Sequence, residues 1–135
     1  ANGAPYQRLG RAFKASKEEI AGLLTAIELY LAKDHEREWR DWSATVDSWI
    51  IALTEIKGCH IYRDDINEAG QPVPRVAIKL PSDSALDVVE KLQKLDPIVE
   101  VVHDSRSMIW ISPDSLQGGE ERIVIEQLKN ALPAK

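Results

Sequence analysis

The sequence predicts an α+β fold: a long N-terminal helix or helix pair, then a small antiparallel sheet of three to four strands with helices on one face. Two observations carry this expectation. Apolar residues recur at helical spacing from Ser16 to Leu53, and after Gly58 the period changes to short β-branched runs. Those runs come in pairs, each pair followed by a helical stretch, and strand pairs alternating with single helices build a sheet packed on helices.

Residues 1–15 carry Gly3, Pro5 and Gly10 without a sustained period and read as an extended basic arm. Ser16 with Glu19 forms a capping box, in which hydroxyl and carboxylate each satisfy a backbone N–H at a helix start. Ile20, Leu23, Leu24, Ile27 and Leu31 then make one apolar stripe to about Ala32. A second helical pattern runs from Asp34 to Leu53, with Trp39, Trp42, Val46, Trp49, Ile50 and Leu53 in its period. No Gly or Pro interrupts Lys33-Asp34-His35, so a bend or a continuous long helix is expected there.

Lys57-Gly58 ends the helical part. Cys59 to Ile66 and Val73 to Leu80 read as two antiparallel strands around the turn-rich Asn67–Pro72 connector. Pro81 to Ser84 supply a break and an N-cap, and Leu86, Val89, Leu92 and Leu95 form the stripe of a third helix. Ile98 to His103 and Met108 to Ile111 are two further strands around Asp104–Ser107. A loop from Pro113 to Gly119 leads to a last helix, Glu120 to Leu132, with Ile123, Val124, Gln127, Leu128 and Leu132 in its period. The expected division is an arm at 1–15, connecting helices at 16–53 and an α+β small domain at 54–135, together one structural unit.

At 135 residues, with 44% hydrophobic and 29% charged side chains, the chain can bury roughly two thirds of its unfolded surface around one core. A net charge of −5 argues against a general nucleic-acid or membrane-surface binder, because phosphate binding draws on clustered Lys and Arg. The apolar runs are too short to span a membrane. The single cysteine, Cys59, excludes an intramolecular disulfide, and without a charged-then-apolar leader the cytoplasm is the expected compartment. Residue 1 is Ala rather than Met and runs into an Ala-Asn-Gly-Ala-Pro coil, so this end is expected to have been cut from something longer.

His35, His60, His103 and Cys59 match no metal-ligand spacing, so no metal site is expected. Asp34, His35, Glu36, Glu38 and Asp41 read as a solvated helix face. Gly118-Gly119-Glu120-Glu121 reads as a helix start with its acids near the positive end of the dipole. Trp39, Trp42 and Trp49 share one helix, and an aromatic stripe of this kind is a packing surface, here proposed to lie against another subunit or domain. Arg8, Arg11, Lys14 and Lys17 fall within ten residues. They read either as a solvated connector or as groups reaching an anion held in a neighbouring domain.

The run Gly10-Arg11-x-x-Lys14-x-x-Lys17-Glu18-Glu19-Ile20-x-Gly22-Leu23-Leu24, continued by Ala26-Ile27-Glu28-Leu29-Tyr30-Leu31, resembles a segment of pyridoxal-phosphate enzymes related to seryl-tRNA selenium transferase and D-glucosaminate-6-phosphate ammonia-lyase. Weaker agreements follow in order over nearly the whole chain: Pro74-Arg75-Val76, Leu95-Asp96-Pro97, and Ile111-Ser112-Pro113-Asp114-Ser115-Leu116 before Gly118-Gly119-Glu120. The resemblance implies fold type I, with the Schiff-base lysine in a large domain just upstream and this chain as the small C-terminal domain closing over pyridoxal phosphate. It implies a lyase or transferase acting on an amino acid or amino sugar acid, with Arg11, Lys14 and Arg75, and Lys17 behind them, as candidates for anion contacts. Several family members carry Arg in the segment where this chain has Asp114, a departure that leans toward the lyase-like relatives. The chain alone is then catalytically silent, and its partners are the large domain or another subunit of a homo-oligomer and a small-molecule substrate. The alternative is a free-standing α+β module that binds a small ligand or a protein and does no chemistry.

Overall fold

The computed structural model describes residues 14–82 and 84–132. The chain divides into two compact units, Ala1–His35 and Glu36–Lys135. The second of the two N-terminal helices contributes Val46, Trp49 and Leu53 to the same core as the sheet.

In the first unit, α1 spans Lys17–Ala32 and begins as its capping box requires. Ser16 Oγ accepts from the Glu19 N–H at 3.1 Å while the Glu19 carboxylate accepts from the Ser16 N–H. None of its residues is buried: Leu23, Leu29 and Leu31 are 63%, 68% and 75% exposed. The helix stops at Lys33, which is extended at φ −77° and ψ 138°, and α2 starts afresh at His35. A continuous helix would pair the Tyr30 carbonyl with the N–H four residues on. That carbonyl is taken by the Lys33 N–H at 3.3 Å and by Nε2 of His35 at 2.9 Å, so the stretch forms the helix pair, one of the two expected arrangements, and not one long helix.

The second unit is an α+β sandwich. Helix α2 (His35–Leu53) is followed by β1 (His60–Asp64), β2 (Arg75–Lys79), α3 (Ala85–Leu92), β3 (Val102–His103), β4 (Met108–Ile111) and α4 (Glu120–Ala131). The four strands lie in the order β1-β2-β4-β3, every neighbouring pair antiparallel. Ile61, Ile78 and Ile109 stand side by side in register, as do Val76 and Ile111, and alternation turns these residues toward the helices. They meet Val46, Trp49 and Leu53 of α2, Val88 and Leu92 of α3, and Val124 and Leu128 of α4 in one core. Arg63 shares that face and reaches α2, donating to Asp47 at 2.9 Å with its guanidinium 5.8 Å from the Trp39 ring centre.

The opposite face carries the row Tyr62, Ala77, Trp110 and Val102, of which Tyr62 and Val102 remain 41% and 43% exposed. The fold class is as the sequence predicts, with differences at the margins. Residues 98–101 run to the sheet without joining its ladder, although Val99 is buried. In α3 the buried stripe is Ala85, Val88 and Leu92, and Leu86 is exposed. The expected stripe from Leu86 to Leu95 advanced in steps of three, and a helix of 3.6 residues per turn rotates such a series off any one face. Ser84 stands at the N-cap of α3 without capping through its side chain; its hydroxyl donates to the Ser82 carbonyl at 3.3 Å. Among the described residues, no helix is long and apolar enough to cross a membrane.

Candidate functional site

Because β2 and β4 are antiparallel, the start of one and the end of the other meet at one end of the sheet, where Val76 faces Ile111. A cleft of about 650 Å³ opens there, walled by the 97–102 segment, the loop after β4 and the first turns of α4. Two local devices shape it. Asn67 ties its own loop, its Oδ1 accepting from the N–H groups of Ala69 at 3.0 Å and Gln71 at 2.9 Å, with Gly70 at φ +76° completing the turn. Gly119, at φ +97°, starts α4 in a left-handed conformation that favours glycine, and the Glu121 carboxylate accepts its N–H at 2.8 Å.

The Asn67 turn delivers Glu68 to Arg75. Arg75 donates through Nη1 to Glu68 at 2.6 Å, and through Nε and Nη2 to Oδ2 of Asp64, its cross-strand neighbour, at 3.0 and 2.9 Å. Its guanidinium carbon lies 5.3 Å from the Trp110 ring centre, and the residue is only 7% exposed. A buried cation is sustained by such pairing, since an uncompensated charge at this depth is costly. The donors of Arg75 are thus engaged by two carboxylates of its own unit.

Charge on the cleft wall is mainly negative: Glu68, Glu100, Asp114 and Glu120 line it against the one guanidinium of Arg75. Glu120 also accepts from the Gln117 N–H at 2.9 Å, in keeping with an acid at a helix start. Pro97, Ile98, Val99, Trp110, Leu116 and Ile123 supply apolar surface.

Of the other sequence-derived candidates, Arg11 lies outside the described residues, while Lys14 and Lys17 are exposed in the first unit. Arg75 belongs to the second unit. The tryptophans of α2 part company. Trp49 is 2% exposed in the core and its indole N–H donates to the Glu121 carbonyl at 3.1 Å; Trp42 is half-buried; Trp39 is 42% exposed. Only Trp39 and Trp42 retain surface for another chain. His60 lies 5.3 Å from the Tyr62 ring, and Nδ1 of His103 accepts from the Ser105 N–H at 3.1 Å. Burial raises the Cys59 thiol above its usual range, which leaves it protonated rather than nucleophilic.

Sequence reasoning singled out Asp114 and Arg75 but missed Trp110, Glu100 and the two carboxylates on Arg75. A signal existed for one pair: in a hairpin closed around Asn67–Pro72, Asp64 and Arg75 fall nearly opposite.

No protein-family model matches the chain, and no curated protein matches it in sequence. Among solved structures it is similar to a D-glucosaminate-6-phosphate ammonia-lyase, over 90% of this chain, with a TM-score of 0.63 and 21% identity. The two share a fold. The chain spans 33% of that protein's length, so the likeness concerns about a third of the ammonia-lyase chain.

Proposed function

We propose that this chain is the small C-terminal domain of a pyridoxal-phosphate-dependent lyase or transferase acting on an amino acid or amino sugar acid. The cofactor is held by a large domain outside these residues, and this domain closes over it. The observation that carries the reading is the fold likeness to part of an ammonia-lyase, found for a chain whose segment from Gly10 to Leu24 resembles the corresponding junction of that enzyme group. The likeness supports the architecture; the chemistry rests on the sequence resemblance.

The described residues do not fit the cofactor as a holder. No lysine lines the cleft, its one guanidinium is tied to Asp64 and Glu68, and a phosphate would meet Glu100 and Asp114. Pyridoxal phosphate supplies an electron sink for bonds at the substrate's α-carbon. In this reading Arg11 and Lys14, with Lys17 behind them, meet an anionic group of substrate or cofactor across the domain junction, Arg by its forked donors. Trp39 and Trp42 pack against another subunit or domain.

Borohydride trapping tests the proposal. In protein made from an extended reading frame that includes the upstream region, reduction in the presence of pyridoxal phosphate should fix the cofactor to one lysine upstream of Ala1. The 135-residue chain alone should show no stoichiometric adduct at any single lysine. Arg11→Ala in the longer protein should weaken cofactor or substrate retention by about 1.5–3 kcal/mol, and Lys129→Ala should leave it unchanged. A saturable, site-specific adduct on the short chain, or the lack of one on the longer protein, would overturn the reading.

A further inference from the structure

We infer that the cleft at the end of the sheet binds a small organic cation, an ammonium or guanidinium group carried on an apolar body. Its volume of about 650 Å³ is in the range of small-ligand pockets. Ile98, Val99, Trp110 and Leu116 offer an apolar surface against which the ligand's body is drawn out of water.

Charge decides the sign of the head group. Arg75 is compensated by Asp64 and Glu68, and Glu120 already accepts a backbone N–H. Glu100 and Asp114 line the same cleft, and among the described residues neither carboxylate has a hydrogen bond or ion pair. The field met by an entering ligand is therefore set by these two acids. An ammonium group gains charge-assisted hydrogen bonds from them, whereas a carboxylate or phosphate is repelled. The Trp110 ring, whose centre lies 5.3 Å from the Arg75 guanidinium carbon, adds aromatic surface for the apolar body rather than a contact for the cation. This inference goes beyond the pyridoxal-phosphate reading and stands without it, because every residue it uses belongs to the second unit.

Two probes of nearly equal size and opposite charge test it on the full 135-residue chain: 2-phenylethylamine and 3-phenylpropionate. Binding is followed by the indole N–H resonance of Trp110, assigned with Trp110→Phe. The amine should shift that resonance saturably at millimolar concentration, several-fold more tightly than the acid, and the preference should shrink with added salt. Asp114→Asn with Glu100→Gln should weaken the amine several-fold and leave the far-ultraviolet spectrum unchanged, since both side chains are exposed. Equal or tighter binding of the acid, an amine affinity indifferent to the double variant, or no saturable shift with the amine would overturn the inference. Cofactor trapping on the extended protein reads the other proposal separately, so either can fail without the other.

Discussion

Helices α1 and α2 are adjacent in sequence and both carry many large apolar residues, yet α2 buries Val46, Trp49 and Leu53 while α1 buries nothing. The difference lies in how the apolar residues are spread. In α2 they form a stripe opposed by Glu36, Arg37, Arg40 and Asp41, so one face can enter a core and the other remain in water. In α1 the apolar set includes Leu29 and Tyr30 as well as the stripe through Ile27 and Leu31, so it extends well around the helix. A helix apolar on most sides suits an environment that covers it on most sides. Apolar content alone thus says little about which helix builds the core of a given chain.

Substitutions can break or sharpen that contrast. The largest effect belongs to Trp49→Ala, which removes a fully packed indole and its bond to the Glu121 carbonyl. A loss of about 3–5 kcal/mol in urea unfolding is expected; a loss below about 1 kcal/mol would mean that α2 is no better anchored than α1.

Exposure does not make every side chain dispensable, and Asp104 separates the two cases. Its carboxylate accepts from the Met108 N–H at 2.9 Å and the Arg106 N–H at 2.8 Å, closing the turn between β3 and β4. These bonds, Met108's foremost, hold its pKa below the ordinary 3.8. A depressed carboxylate stabilises the fold fully above that value and loses the contribution as pH falls through its lower folded value. Asp104→Ala should lower the urea midpoint at neutral pH and flatten its decline in acid below 3.8, read as midpoint against pH. An unchanged acid profile would show that the turn does not depend on the ionised side chain.

The smallest effect is expected from Leu24→Gln in α1, a residue 56% exposed. The change keeps a good helix former and should shift the unfolding free energy of this chain by less than about 0.5 kcal/mol. A larger loss, by the same urea titration, would place Leu24 in a contact and dissolve the contrast with α2.

Much of the fold was legible in the residues because its signals are local. A capping box at Ser16, the change of period after Gly58, and the turn residues at Asn67–Gln71 and Asp104–Ser107 act over a few positions, so the chain itself specifies where helices and strands begin. What needed the tertiary structure was the outcome of competition between distant segments. Only packing decides that Trp49 enters the core while Trp39 stays at the surface, and that α3 turns Val88 rather than Leu86 inward. Arg75, which the resemblance offers as a candidate for anion contacts, pairs with Asp64 and Glu68 once the hairpin register sets Asp64 opposite it and the connecting turn brings in Glu68. The cleft has the same origin: Trp110, Glu100 and Asp114 share a wall only because β4 runs antiparallel beside β3, so that the loop after β4 returns along the segment that precedes Val102. Hydrogen bonds within a turn are set by neighbours along the chain, whereas burial and charge pairing depend on which surfaces the folded chain brings together.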